Sequence, residues 1–197
     1  MDFVPPVAGS YKLERIQQAT DGAVLDANGR RRRLSEFTHG RVTLLAFMYS
    51  SCADPNGCPY ALTVMHLVKN ELEKLPQTRG RVRFVSLSFD PTRDTPQVMA
   101  LYGSDGSGAK QHVVWDFLTT RSIRELLPIL DGFGQDVGVD IDKPTGKPAG
   151  TYSHVLKVFL IDRQGAVREI YTTAYLLPVM VLNDIKTLLM EDGVGLQ

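Results

Sequence analysis

The residues of this chain best suited to chemistry are its two cysteines, Cys52 and Cys58, which are separated by five residues. They follow an apolar run at residues 42–49, and residues 53–57 (ADPNG) lie between them. Proline, asparagine and glycine in this order suit the second, third and fourth positions of a β-turn. Such a turn brings the two sulfurs close together. Two adjacent sulfurs can either bind a soft metal ion or exchange a disulfide.

The position of Cys58 predicts the state of its thiol. Pro59 suits the first position of a helix, because a proline there removes no intrahelical hydrogen bond. A helix that begins here places Cys58 at its N-terminus, where the partial positive charge lowers a thiol pKa. We therefore expect Cys58 to favour the thiolate. A purely structural disulfide is disfavoured, because so short a loop restricts the unfolded chain less than a long one.

Composition narrows the class of protein. The 197 residues suit one domain, and 43% hydrophobic and 22% charged residues are typical of a soluble globular protein. Lys+Arg and Asp+Glu number 22 each, so there is no electrostatic case for nucleic-acid binding. No apolar run is long enough to span a bilayer, and no signal-peptide pattern is visible. The basic run at residues 30–33 follows an Asn-Gly turn and is interpreted as an exposed strand start.

Alternating strand and helix patterns predict an α/β layer structure with a mixed central sheet. We expect a flexible leader at residues 1–10, a single domain at 11–192 and a tail at 193–197. The predicted elements are a hairpin within 11–38, buried strands at 42–49 and 82–89, a strand at 113–117, helices at 59–74, 95–103 and 123–130 (bent or shortened by Pro128), a loop at 104–111, a long irregular connection at 131–150, a hairpin formed by 155–161 and 166–171, and a closing helix at 178–191.

Three motifs resemble those of the Sco/SenC proteins, thioredoxin-fold copper proteins that help to assemble the dinuclear copper centre of cytochrome c oxidase. They are the cysteine pair followed by Pro59, residues 88–96 (SFDPTRDTP) with the downstream Tyr102, and residues 152–154 (YSH) leading into 158–162 (VFLID). Residues 115–119 (WDFLT) add a weaker fourth. The likeness runs from about residue 20 to residue 190. One departure is that these proteins typically place three residues between their cysteines, which changes the loop that sets the sulfur geometry.

The resemblance implies a fold and a metal site. The fold is thioredoxin-like, with a mixed central sheet flanked by helices and an N-terminal β-hairpin extension. The site is one copper ion, Cu(I) or Cu(II), held by Cys52, Cys58 and His154. Thiolates select Cu(I), and an imidazole beside them also accommodates Cu(II). Without the resemblance, His154 would be interpreted as an ordinary core or surface histidine.

Asp90, Arg93 and Asp94 admit two interpretations. An Asp-Pro turn and a helix start explain them structurally. In the resemblance they stand behind the metal site, where neighbouring charges tune the ligands. The sequence leaves both interpretations open.

The resemblance also implies partners and a compartment. The partners are a copper-enzyme client such as an oxidase subunit and a thiol reductant, with no nucleic acid. The compartment is the periplasm or another extracytoplasmic space, with a membrane tether outside this sequence as one possibility. The protein would act as a metallochaperone or a redox partner rather than as an enzyme in the ordinary sense.

Two alternatives belong to other classes. A thiol–disulfide oxidoreductase would act on the cysteines of a target without carrying metal. Residues 151–154 (TYSH) lack the proline that generic thioredoxin-like reductases carry in this region, which disfavours it. A peroxiredoxin is weaker still, because residues 49–51 (YSS) lack the threonine expected before a peroxidatic cysteine.

Overall fold

The computed structural model describes residues 4–103 and 111–196, so most of the loop predicted at 104–111 lies outside the described residues. The strands are β1 (Gln17–Gln18), β2 (Ala23–Leu25), β3 (Arg31–Arg33), β4 (Val42–Met48), β5 (Val82–Ser88), β6 (Val114–Leu118), β7 (Val137–Asp142), β8 (Lys147–His154), β9 (Lys157–Ile161) and β10 (Ala166–Thr172). The helices are α1 (Ser35–Thr38), α2 (Cys58–Glu73), α3 (Pro96–Tyr102), α4 (Ile123–Phe133) and α5 (Pro178–Glu191), with a 3₁₀ turn at Pro76–Thr78.

A six-stranded mixed sheet in the order β1-β10-β9-β4-β5-β6 forms the centre of the fold. β4 runs parallel to β5 and antiparallel to β9, and β5 runs parallel to β6. Every residue of β4 is buried, as expected for a strand covered on both faces. The predicted mixed sheet is therefore confirmed. The cysteine loop directly follows β4, which is an inner strand of this sheet.

Helices cover the two faces of this sheet. Because successive strand residues point to opposite faces, Leu44 packs in one core cluster and Leu45 in another. The cluster around Leu44 includes buried residues of α2 and α5, and the cluster around Leu45 includes buried residues of α4. α2 begins at Cys58, carries Pro59 in its first turn and buries one apolar stripe, so it starts where the sequence predicted.

The basic run of the sequence forms the outer strand of a small hairpin. β2 and β3 pair antiparallel, and β3 is largely exposed, as predicted. Its three arginines make ion pairs to nearby carboxylates, so the run is locally neutralised. The pairs are Arg31 with Glu125, Arg32 with Glu36 and Asp26, and Arg33 with Asp21.

The structure corrects two predictions about the second half of the chain. Pro128 does not shorten α4, which continues to Phe133, because Ile129, Leu130 and Phe133 are buried in the core and their packing outweighs the hydrogen bond lost at the proline. The predicted irregular connection at 131–150 instead contains β7 and the first half of β8, and these two strands pair as an antiparallel hairpin. The hairpin at β9 and β10 and the closing helix α5 are confirmed.

The segment predicted as a leader lies against α5 where it is described. The backbone N–H of Gly9 donates to Thr187 Oγ1 at 2.9 Å, and Asn183 Nδ2 donates to the carbonyl of Pro6 at 2.8 Å. Among the described residues, no helix combines the length and the apolar character needed to cross a bilayer.

Candidate metal centre

The loop between the cysteines folds as the predicted turn. The N–H of Gly57 donates to the carbonyl of Asp54 at 3.0 Å, and the N–H of Asn56 donates to Asp54 Oδ1 at 3.0 Å. The turn reverses the chain that leaves β4, and α2 begins directly after it at Cys58. The two cysteines are thereby held at the same end of the central strand.

The two thiols are free and interact with each other, with Cys58 buried and Cys52 half-buried. Burial raises the pKa of Cys58 to about 12, and the neighbouring Cys52 adds to this rise. A hydrogen bond from the backbone of Tyr49 acts in the opposite direction on the pKa of Cys58 without reversing the shift. The predicted lowering of this pKa is therefore wrong, because the loss of hydration outweighs the helix N-terminus.

His154 is the last residue of β8, and two residues separate it from β9, where the chain returns to the central sheet. Its ring packs edge-on against Phe89 with centroids 4.8 Å apart and against Tyr49 with centroids 6.1 Å apart. Nδ1 lies 3.4 Å from the carbonyl oxygen of Tyr152. Nε2 is buried and has no hydrogen-bond partner. This is the nitrogen that remains available for a metal.

The three predicted ligands are only partly assembled. Within residues 4–103 and 111–196, no three His, Cys, Asp or Glu side chains lie close enough together to hold a metal ion. The structure thus brings Cys52 and Cys58 together, and His154, which packs against Tyr49 and Phe89, does not form such a group with them. The donor set itself, two thiols and an imidazole nitrogen without a partner, fits the chemistry of copper.

Tyr49 lies in contact with both parts of the site and was missed as a site residue. Burial and the neighbouring Cys52 raise the pKa of Tyr49 to about 12, and its hydroxyl is hydrogen-bonded to Cys52 and to the backbone of Tyr152. Its ring also packs against Tyr152, with centroids 5.2 Å apart, as well as against His154. A signal existed in the sequence, since Tyr49 follows the last residue of β4 and lies three positions before Cys52.

Asp94 connects the two loops that flank the site. One carboxylate oxygen accepts the backbone N–H of Ser50 at 3.0 Å and the hydroxyl of Ser88 at 2.5 Å, and the other accepts the hydroxyl of Ser50. Asp94 is buried and holds the end of β5 against the start of the cysteine loop. These contacts account for Asp94 structurally.

Asp90 and Arg93 form an ion pair beside the aromatic side chains around His154. Asp90 Oδ2 accepts from Arg93 Nε, and the Arg93 guanidinium lies 5.5 Å from the centroid of the Tyr152 ring. Asp90 Oδ1 is buried without a hydrogen-bond partner. Tyr102, the downstream residue of the same motif, has a pKa raised to about 12 by burial and by the two cysteines, which places it near the thiols.

Comparison with known proteins identifies the family of this chain. The SCO1/SenC family model matches residues 18–190. An SCO2-like protein of Rickettsia prowazekii is 30% identical over 99 residues, a match that covers 49% of this chain and 45% of the relative. The match thus spans about half the length of this curated relative.

Solved structures give the same fold. Copper-bound ScoI of Arabidopsis thaliana superposes with a TM-score of 0.70 and 17% identity, over 88% of this chain and 98% of the other. Copper-bound ScoI of Bradyrhizobium japonicum gives a TM-score of 0.68 and 24% identity, over 86% and 98%. The thioredoxin-like fold expected from the sequence is confirmed. Since the family model covers most of the chain, this protein belongs to the SCO1/SenC family.

Proposed function

We propose that this protein binds one copper ion through Cys52, Cys58 and His154 and acts as a metallochaperone or redox protein in the assembly of a copper enzyme such as cytochrome c oxidase. The observation that carries the proposal is the buried Nε2 of His154, which has no partner and lies in an aromatic cluster shared with Tyr49. Membership of the SCO1/SenC family and the existence of copper-bound relatives support it.

The energetics of His154 favour a ligand role. A buried polar atom without a hydrogen bond costs about 1–3 kcal/mol. The contact of Nδ1 with the Tyr152 carbonyl favours the tautomer that carries its proton on Nδ1 and leaves the Nε2 lone pair free. A metal bond to Nε2 offsets the cost, and the carbonyl contact orients the ring as is usual for ligating histidines.

The thiol pair supplies the soft ligands. Cys58 is buried and protonated at neutral pH, so copper must displace its proton on binding. The half-buried Cys52 gives the ion access to the pair. Copper held in this way would be bound tightly but remain reachable by a client from the side of Cys52.

Completion of the site requires the His154 ring to approach the sulfurs. Two residues, Val155 and Leu156, connect β8 to β9, and Val155 is exposed. The His154 ring packs against Tyr49, and Tyr49 contacts Cys52. A single side chain, that of Tyr49, therefore connects His154 to the thiol pair. Copper bound first by the two sulfurs and then by His154 is consistent with this arrangement.

We further propose that the protein works in the periplasm or another extracytoplasmic space, with a copper-enzyme subunit as its client and a thiol reductant that keeps the cysteines reduced. A membrane tether outside this sequence would be compatible with these partners. The family membership supports this compartment and this client class.

The second candidate is a thiol–disulfide oxidoreductase without metal, which the direct contact between two free thiols favours. Such an enzyme needs an attacking thiol with a low pKa. Burial raises the pKa of Cys58 instead, so Cys52 would have to attack. This requirement ranks the oxidoreductase below the copper protein.

A copper titration of the reduced protein tests the proposal. We expect one copper per chain, no tight binding after Cys52→Ala or Cys58→Ala, and weaker binding with an altered Cu(II) spectrum after His154→Ala. His39→Ala is a matched control, since His39 lies on the surface after α1. Unchanged copper retention in the Cys58→Ala protein would refute the proposal. Loss of disulfide exchange in His154→Ala with copper binding intact would favour the oxidoreductase.

A further inference from the structure

Gly57 is the last residue of the five-residue loop and precedes Cys58 directly. Both of its peptide groups are fixed. Its N–H donates to the carbonyl of Asp54 at 3.0 Å, which closes the turn, and its carbonyl accepts the N–H of Ala61 at 3.2 Å, which opens α2. The backbone of Gly57 is therefore part of both the turn and the helix start.

The sulfur of Cys52 occupies the space that a side chain at position 57 would need. A Cβ on Gly57 would lie 3.3 Å from Cys52 Sγ, 3.4 Å from the carbonyl oxygen of Asp54 and 3.5 Å from Asp54 Cβ. Non-bonded heavy atoms such as carbon attract best at about 3.5–4.0 Å, and sulfur is the larger atom, so the first of these contacts is too close. A side chain at position 57 therefore requires one of these neighbours to shift by a few tenths of an ångström.

The neighbour that yields is the sulfur. The carbonyl of Asp54 cannot move without breaking its hydrogen bond to Gly57, and Asp54 also accepts the N–H of Asn56. Cys52 Sγ is the end of a short, half-buried side chain, so rotation about one bond moves it toward solvent at the cost of its contacts with the Tyr49 hydroxyl and Cys58. A side chain at position 57 would thus push Cys52 away from the start of α2, where Cys58 lies.

We propose that Gly57 is the positioning residue of the thiol pair, because its missing side chain allows the longer loop of this chain to hold the Cys52 sulfur against Cys58. This chain achieves the approach with five residues between the cysteines. Any effect of Gly57 on copper binding rests on the proposed function, whereas its effect on the approach of the two sulfurs does not.

A double-mutant cycle on the reduced, metal-free protein tests the contact directly. The free energy of unfolding is measured for the wild type, Gly57→Ala, Cys52→Ala and the double variant. We expect Gly57→Ala to cost less when Cys52 is alanine, because the sulfur that the new Cβ would meet is absent. If Gly57→Ala alone fails to fold, folding of the double variant supports the proposal. An equal cost in both backgrounds, or failure of both proteins to fold, overturns it.

The thiol–disulfide equilibrium provides a readout that a merely structural role would not move. We expect Gly57→Ala to lower the equilibrium constant for closing the Cys52–Cys58 disulfide against glutathione by about tenfold, which corresponds to about 30 mV for a two-electron couple. Gly195→Ala is the matched control, since a Cβ there meets nothing within 4 Å. An equilibrium constant equal to that of the control overturns the proposal. Both measurements omit copper. A failure of copper binding in the wild type would therefore refute the proposed function, whereas the role of Gly57 would still be decided by the unfolding and disulfide measurements.

Discussion

At the scale of single residues, Cys58 illustrates two effects that act in opposite directions on one thiol. A helix N-terminus contributes about 0.3–1 kcal/mol to a nearby negative charge. Burial without hydration shifts a pKa by up to 3–5 units, and each unit is worth about 1.4 kcal/mol. Burial therefore prevails at Cys58, and the thiol stays protonated at neutral pH. The sequence identified the helix start and gave no sign of how deeply the sulfur is buried.

Replacement of Tyr49 by phenylalanine tests whether its hydroxyl acts on the thiol pair. Tyr49→Phe removes the hydroxyl that is hydrogen-bonded to Cys52 and to the Tyr152 backbone, and it keeps the ring that packs against His154. We expect a loss of about 1 kcal/mol in the free energy of unfolding, because one buried hydrogen-bonding group disappears, and a shift of the Cu(II)–thiolate absorption band. Tyr175→Phe is the control, since Tyr175 is 65% exposed. An absorption band identical to that of the wild type would mean that Tyr49 does not act on the copper ligands.

At the scale of elements, Asp94 joins the loop after β4 to the loop after β5 through its contacts with Ser50 and Ser88. Ser88 is the last residue of β5, whereas Ser50 and Asp94 lie in the loops that follow β4 and β5. Removal of the carboxylate leaves the Ser50 N–H and two hydroxyls without their acceptor. The cysteine loop would then lose its attachment to the neighbouring strand.

We therefore predict that Asp94→Ala lowers the free energy of unfolding by about 3 kcal/mol, because several buried groups lose their partner at once. Thr95→Ala should cost only about 1 kcal/mol, since it removes a single helix cap, the contact of Thr95 Oγ1 with the N–H of Val98 at 3.4 Å. Denaturant unfolding of the two variants makes the comparison. Equal costs would show that Asp94 serves only as part of the helix start.

The sequence predicts the closing helix α5 correctly and misses the β7–β8 hairpin. α5 (Pro178–Glu191) has the bounds that were predicted, because proline marks its start and its apolar stripe is regular. The β7–β8 hairpin was missed because glycine and proline dominated the interpretation of residues 131–150. A signal was present, since Val137, Val139 and Ile141 alternate with Gly138, Asp140 and Asp142, which is the period of a strand. The hairpin matters to function because β8 ends at His154.

The candidate site was predictable in its residue types and not in its assembly. The cysteine pair and its turn follow from local spacing, which depends on neighbouring residues alone. His154 was assigned through resemblance, because it is separated from Cys58 by most of the domain. Its position relative to the cysteines depends on how its ring packs against Tyr49 and Phe89, which local patterns do not encode.

For the whole molecule, the raised pKa values of one cysteine thiol and several tyrosine hydroxyls predict how the free energy of unfolding depends on pH. The pKa values of Cys58, Tyr11, Tyr49 and Tyr102 are all raised to about 12, chiefly by burial. A group whose folded pKa exceeds its unfolded value stabilises the fold below the unfolded pKa. This contribution is lost as the pH rises through the folded pKa. Stability should thus decline on the alkaline side.

Cys58 can be separated from the three tyrosines because an ordinary thiol titrates near pH 8.5 and an ordinary tyrosine near pH 10. We predict that between about pH 9 and pH 10 the free energy of unfolding falls more steeply in the wild type than in Cys58→Ala, by up to about 1.4 kcal/mol per pH unit. Urea unfolding of the reduced, metal-free proteins measures both slopes. Parallel slopes would contradict the assignment of a raised pKa to Cys58.

X-ray absorption at the copper edge of the loaded, reduced protein tests whether two sulfurs and one imidazole nitrogen bind the same copper ion. We expect two sulfur ligands and one nitrogen ligand in the wild type, loss of the nitrogen in His154→Ala and its retention in His39→Ala. A spectrum that His154→Ala leaves unchanged, or one with no sulfur ligands, would exclude joint ligation by Cys52, Cys58 and His154.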